Sequence, residues 1–335
     1  MTALPALPFR LPQISPRAYE HPADRAATAA LRAIPLLDTV MRRLTEYRYA
    51  RAFLQMARAN SVQLGPEQLP HIWQSYLGVL DTLDMPQQYG LYITQTPFAN
   101  AYTLGAQSPI IVMNSGLVSI LPEDEVRCVL AHEVGHILSE HSLHRTALIM
   151  LIQLSQFAGL PIFAGLPIRA IRFVLLEWFR AAELSADRAA VLAVRDPMVL
   201  CRTMMNLAGG AAALDLNIEA FIKQAMDYET CDNSVDKGMR FFLEVGRSHP
   251  FPVRRVAEVM KWVQSGDYDR ICRGDYIRRD EASHVREDLG EGVKFYSERF
   301  GSIMTEAGTS ANDFARQAKD WLKRNKEDKE DKETP

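Results

Sequence analysis

The stretch His132-Glu133-Val134-Gly135-His136 constrains the fold of this chain more than any other. On an α-helix, residues four apart stand about 40° from each other around the axis and one turn up. Two imidazoles at that spacing can reach one metal ion from one helix face. Glu133 lies beside that face, close enough to touch a water on the ion without ligating it. The residue types and the spacing are those of the zinc-hydrolase pattern His-Glu-x-x-His. A hydrolytic zinc site takes three protein ligands and keeps a fourth position for water. The remainder of the chain must therefore bring one more ligand to this helix.

A later helical pattern, from about 169 to 194, ends before Asp196-Pro197 and carries Glu183 and Asp187 four residues apart on one face. Glu183 can ligate, and Asp187 can accept the second N–H of a liganding imidazole, which fixes its tautomer. His-Glu-x-x-His followed by Glu-x-x-x-Asp on a later helix is the gluzincin arrangement. Read alone, the two acids also fit an exposed face with Arg180 and Arg188 as helix partners. Glu140, His141 and His144 follow the first motif and read as surface residues, and Cys128, one turn before His132, reads as a small buried thiol.

Around these two helices the pattern is mostly helical. Residues 1–21 are rich in proline and expected to be extended. A helical region follows from about Pro22 to Ala59 with a break at Pro35, then a helix from Pro66 to about Leu83. Short β-like runs at 91–94, 101–104 and 110–113 predict a small sheet immediately upstream of the histidine helix. Pro122 followed by Glu123, Asp124 and Glu125 marks that helix's start. Val126, Leu130, Val134 and Ile137 form its buried stripe, which leaves the histidines on a neighbouring stripe at the edge of the core. Further helices are expected at about 198–207, 217–228, 238–245 and 253–264, and a last one from Ser310 to about Asn325.

The 23 residues from Thr146 to Ile168 carry no charge, which raises the question of a membrane span. They also contain Gln153, Gln156, Gly159, Pro161, Gly165 and Pro167. If the flanking segments share one metal, the chain must cross a bilayer an even number of times between them, and two spans need about 40 residues. A hydrophobic hairpin over 146–178 breaking near Gly159–Pro161, buried or touching a membrane surface, is the expectation.

Composition narrows the setting. Lys plus Arg number 38 against 41 Asp plus Glu, a balance that argues against nucleic acid as the main partner. Cys128, Cys201, Cys231 and Cys272 are widely spaced with no Cys-x-x-Cys pair, as in a reducing cytosol. The start, MTALPALPFRLPQ, has no basic region before a long apolar run, so no secretory signal is expected. The localisation expected is cytoplasmic, with membrane association through 146–178.

Taken together, Asn100-Ala101-Tyr102, the helix VRCVLAHEVGHILSEH at 126–141, RAAELSADRAA at 180–190, and Ser248-His249-Pro250 with an arginine beyond it make the chain resemble a family. It is similar to the HtpX-like and CAAX-prenyl-protease-like zinc metallopeptidases, metallopeptidase family forty-eight. The resemblance implies an α+β, mostly helical fold: a zincin-like metallopeptidase core with a small β-sheet before the zinc helix. It implies His132, His136 and Glu183 as ligands of one zinc ion, Glu133 as general base and Asp187 behind a ligand. It also puts His249 and Arg255, the latter preferred over Arg254 on spacing, near the active site. Asn100, Ala101 and Tyr102 would bind substrate. Many relatives carry membrane spans before the zinc helix and this chain does not.

Four regions are expected: an N-terminal extension over 1–65, a metallopeptidase core over 66–265, a helical addition over 266–325, and a charged, disordered tail over 326–335. The expected activity is hydrolysis of peptide bonds in extended or unfolded protein by a metal-activated water, with Glu133 as base and His249 or Arg255 as oxyanion donor. The strand at 101–104 would offer its edge to the substrate backbone. The alternative is a zinc-stabilised interaction or chaperone-like module with little turnover.

Overall fold

The computed structural model describes residues 9–32, 49–105, 108–154, 168–230 and 250–281, with positions 290, 293, 294, 296 and 297. The break at Pro35, the turn near Gly159–Pro161, the helix at 238–245, His249, the helix from Ser310 and the charged tail lie outside the described residues. In chain order the described elements begin with α1 (Pro22–Arg32), α2 (Tyr49–Ala59), β1 (Ser61–Gln63) and α3 (Pro70–Thr82). Strands β2 (Gly90–Thr94), β3 (Ala101–Leu104) and β4 (Ile110–Asn114) follow, then α4 (Ser115–Ile120) and α5 (Glu123–Leu138). The remainder is α6 (Ser142–Leu154), α7 (Ile168–Val194), α8 (Pro197–Gly209), α9 (Ile218–Thr230), α10 (Pro252–Gln264) and α11 (Asp267–Cys272).

The β-branched and aromatic runs upstream of α5 pair into one mixed four-stranded sheet of order β1-β2-β4-β3. β2 and β4 run parallel in register Gly90↔Ile110 through Thr94↔Asn114, and β3 pairs antiparallel to β4 from Ala101↔Met113 to Leu104↔Ile110. β3 is thus an edge strand beside α5 and α6. β1 is only three residues long, too short for a period-two pattern, and its partner is β2. The fold is α+β and mostly helical, with this small sheet ahead of the histidine helix, as the sequence predicts.

One boundary and one burial pattern differ from expectation. α3 begins at Pro70, not Pro66, because Gly65 and Gln68 exchange reciprocal backbone hydrogen bonds of 3.2 and 3.1 Å that close a tight loop. Leu69, with a positive φ of 50°, then turns the chain into the helix. On α5, the prediction of a single buried stripe with histidines at its edge is corrected. Every residue from Cys128 to Leu138 is buried, His132 and His136 included. α3, α7, α8 and β3 cover its 128–138 stretch from several sides.

α5 and α7 make the most extensive contact between described elements. Gly135 permits it: a Cβ there would lie 2.7 Å from the Cβ of Ala189 and 3.4 Å from the backbone of Ala186. The glycine inside the histidine motif and the alanines on α7 therefore let two helix backbones approach closely, carrying Glu183 and Asp187 to the histidines. No described helix is long and apolar enough to cross a membrane.

Candidate metal centre

α5 holds His132 and His136 one turn apart with their rings edge to face. Nε2 of one lies 3.2 Å from Nε2 of the other. Glu183 of α7 occupies a third corner, with Oε1 3.0 Å from Nε2 of His136 and Oε2 3.4 Å from Nε2 of His132. A tetrahedral ion with ligands at about 2.0–2.1 Å sets neighbouring ligand atoms about 3.3–3.4 Å apart. The three donors already stand near that spacing. Two imidazole nitrogens and one carboxylate oxygen are also a donor set suited to a divalent ion of the zinc type. The group His132, His136, Glu183 is fully buried and could hold a metal.

Each imidazole is held from behind, but by different means. Nδ1 of His132 lies 2.9 Å from Oδ1 of Asp187. Asp187 in turn accepts from Arg255 on α10, Nε to Oδ2 at 2.7 Å and Nη2 to Oδ1 at 2.5 Å. The third guanidinium nitrogen, Nη1, stands 3.3 Å from Oε2 of Glu183. Nδ1 of His136 instead lies 3.0 Å from Nδ1 of His141, whose Nε2 is 3.0 Å from Oδ2 of Asp24 on α1. The placement of His141 overturns its reading as a surface residue: it is 3% exposed. Glu140, with φ 58°, reverses the chain after α5, and the His141 amide donates to the His136 carbonyl at 3.0 Å. That left-handed turn folds His141 back under the helix. Glu140 itself is exposed, and Cys128 is buried, both as expected.

The electrostatics follow from this packing. Burial pushes the Asp187 carboxyl up, but the Arg255 charge and the hydrogen bonds from Arg255 and His132 bring it below the usual carboxylate range. Burial also disfavours a charged His132, yet Glu183 and Asp187 outweigh it and push its pKa up to about 9. His136 goes the other way: burial first, then the Arg145 charge, hold it well below the ordinary histidine value. The two imidazoles, 3.2 Å apart, are thus shifted in opposite directions, upward for the one flanked by both carboxylates.

Glu133 is buried beside them. Its Oε2 accepts from Thr103 Oγ1 on β3 at 2.8 Å and from Arg145 Nη1 on α6 at 2.5 Å, while Oε1 receives a single longer bond of 3.3 Å from Arg145 Nη2. Thr103 and Arg145 were not singled out in the sequence. No local spacing marks them, because their role arises only where the sheet and α6 meet α5. A cavity of about 570 Å³ opens onto this face and is lined among others by Asn100, Ala101, His132, Glu133 and Arg255. A second, of about 490 Å³, shares Asn100 and Ala101 and adds Tyr102, Arg145 and Phe179. The structure thus brings Asn100, Ala101 and Arg255 to the cavity at the metal centre, whereas Tyr102 lines only the second cavity. His249 lies outside the described residues.

Comparison with known proteins agrees with this geometry. Residues 67–263, more than half the chain, match the family model for Peptidase family M48. The chain is 32% identical over 276 residues to the plastoglobule-localized metallopeptidase 48, chloroplastic, of Arabidopsis thaliana, covering 81% of this chain and 79% of that protein. A protease HtpX homolog of Trichormus variabilis is 24% identical over 252 residues, covering 67% of this chain and 84% of its own length. One from Thermoplasma volcanium is 29% identical over 199 residues, covering 50% of this chain and 63% of its own. No solved structure matches the chain. The matched span contains both histidines, Glu183, Asp187 and Arg255, and the chain belongs to peptidase family M48, as an HtpX-like metallopeptidase.

Proposed function

We propose that this protein is a zinc-dependent endopeptidase that cleaves peptide bonds in extended or unfolded protein segments. The proposal rests on three buried donors, His132 Nε2, His136 Nε2 and Glu183, at tetrahedral-edge spacings beside an open cavity that Glu133 also lines. These three would hold the ion, and Asp187 would orient His132. When bound, zinc supplies Lewis acidity, bringing the pKa of water to about 7 and polarising a carbonyl. Glu133 takes the proton of the attacking water and passes it to the leaving amine. Thr103 and Arg145 anchor its Oε2, so Oε1, with one long bond, is the oxygen that receives the proton. Arg255 orients the two carboxylates, since each of its three nitrogens faces one of them. His249 is then the residue proposed to stabilise the oxyanion.

The substrate backbone adds to the free edge of β3 at Asn100, Ala101 and Tyr102, a mode that selects extended chain. Contact of 146–178 with a lipid surface belongs to the same proposal. The Arabidopsis relative is named as plastoglobule-localized, and the apolar α6 leads into this stretch.

One observation favours a second reading, a metal-stabilised module with little turnover: the Arg145 fork engages both oxygens of Glu133. The test is cleavage of unfolded casein by the zinc-loaded full chain, wild type against Glu133→Gln. The endopeptidase reading expects cleavage by the wild type and a loss of at least about 100-fold in the variant, with zinc content unchanged. Equal cleavage by both removes Glu133 as base. No cleavage by either, with zinc bound in both, gives the function to the module. Arg145→Lys separates the two roles of the fork, because lysine keeps the charge but cannot bind bidentately. A positioning role lowers kcat in that variant, and a restraining role raises it.

A further inference from the structure

α1 lies upstream of the span that matches the family, residues 67–263. Its Asp24 nevertheless reaches His141, the residue behind His136. An acid in the first turn of a helix ordinarily serves the helix dipole. The Asp24 side chain does something else: it is 1% exposed, and its oxygens go to His141, to Ser185 Oγ on α7 at 2.6 Å and to Thr28 Oγ1 at 3.2 Å.

We propose that Asp24, acting through His141, is a positioning group of the metal centre that dictates which nitrogen of His136 is bare. The inference rests on the metallopeptidase reading and deepens it. A carboxylate can only accept, so the His141 Nε2 that stands 3.0 Å from Asp24 Oδ2 donates. With its proton on Nε2, His141 presents a bare Nδ1 3.0 Å from Nδ1 of His136. Two ring nitrogens at that distance need one proton between them, and in this tautomer it sits on His136. The Nε2 of His136 is left with its lone pair aimed at the point where Glu183 and His132 converge. The proton order is Asp24, His141 Nε2–H, His141 Nδ1, His136 Nδ1–H, His136 Nε2. Asp187 does for His132 in one step what Asp24 does for His136 in two.

The supports of Asp24 fit this role. Ser185 Oγ, which donates to Asp24, accepts from the His21 amide at 2.9 Å, and Thr28 Oγ1 accepts from Trp178 Nε1 at 2.8 Å. Glu20, Asp24 and His141 also lie close enough together to suggest a second ion. In the proton order above, both His141 nitrogens are committed and Asp24 Oδ2 already takes two donors, so that cluster is an orienting chain and not a second metal site.

The experiment uses the full chain and reads zinc affinity by competition with a chromophoric chelator. The visible spectrum of the cobalt-loaded protein reports ligand geometry, and thermal melting of the metal-free form controls for folding. His141→Leu and Asp24→Leu are expected to weaken zinc binding by about 10–100-fold and to shift the cobalt bands. His141→Gln, whose amide can accept from His136 and donate to Asp24, is expected to restore affinity to within a few-fold of wild type. Ser185→Ala removes one support of Asp24 but keeps both histidines and the carboxylate; it should lower the melting temperature and weaken zinc binding by no more than a few-fold, less than either leucine variant. If wild type binds zinc and both leucine variants bind it equally well, the relay is wrong. If His141→Gln binds as weakly as His141→Leu, it is also wrong, because size and not proton order then matters. A wild-type chain that binds no zinc overturns the metal centre itself, a distinct result.

Discussion

The two histidines of α5 are one turn apart in sequence and chemistry, yet the protein holds them in contrasting ways. His132 leans on a charged clamp: Asp187, fixed by Arg255, whose third nitrogen also reaches Glu183. His136 leans on a chain of hydrogen bonds through His141 to Asp24, tied to the hydroxyls of Ser185 and Thr28. The first clamp is drawn from α5, α7 and α10, all within the family-matched span. The second needs α1, outside it. Charge compensation in a buried site is costly to break because the partner left behind has no water to turn to. Hydroxyl support is individually cheaper to remove. One side of the centre should therefore be stiff and expensive, the other softer and more local.

Substitutions can break this comparison in order of effect. The largest is Asp187→Ala, which deprives the buried Arg255 of its principal partner; a loss of about 3–5 kcal/mol in denaturant unfolding of the metal-free protein is expected. A loss below that of the Asp24 side would contradict the charged-clamp account. Next comes Gly135→Ala, whose methyl would stand 2.7 Å from the Ala189 Cβ and push the two helices apart. Overpacking of about 1–3 kcal/mol is expected, with weaker zinc binding, because Glu183 and Asp187 retreat together. Ser185→Ala, on the soft side, should cost about 1 kcal/mol by the same unfolding measurement. Glu140→Gln, at an exposed position of the turn, should change stability by less than about 0.5 kcal/mol. A large effect there would mean that the turn under His136 depends on charge as well as on backbone shape.

The stiff side was legible in the sequence and the soft side was not, for a physical reason. His132, Glu133 and His136 follow from helix periodicity within one element, and Glu183 and Asp187 repeat that spacing on another, so two short windows contain the signal. Arg255 needed the family resemblance, since no local pattern ties an arginine on a later helix to an aspartate on an earlier one. His141, which follows the motif, reads as a surface residue in the sequence; the positive φ of Glu140, which no periodicity reveals, brings it inside. Asp24, Thr103 and Arg145 meet the residues of the centre only through tertiary contacts. The full burial of α5 was missed for a similar cause: a helix covered on several sides no longer shows one apolar stripe.

The central claim is that two imidazoles and one carboxylate, and no sulfur, surround a single ion. Zinc-edge X-ray absorption of the zinc-loaded full chain tests it most directly. The account predicts one zinc per chain with four light ligands at about 2.0–2.1 Å, two of them showing the outer-ring scattering of imidazole. A sulfur at about 2.3 Å, which would point to Cys128 one turn from His132, or a shell lacking either imidazole, would contradict it.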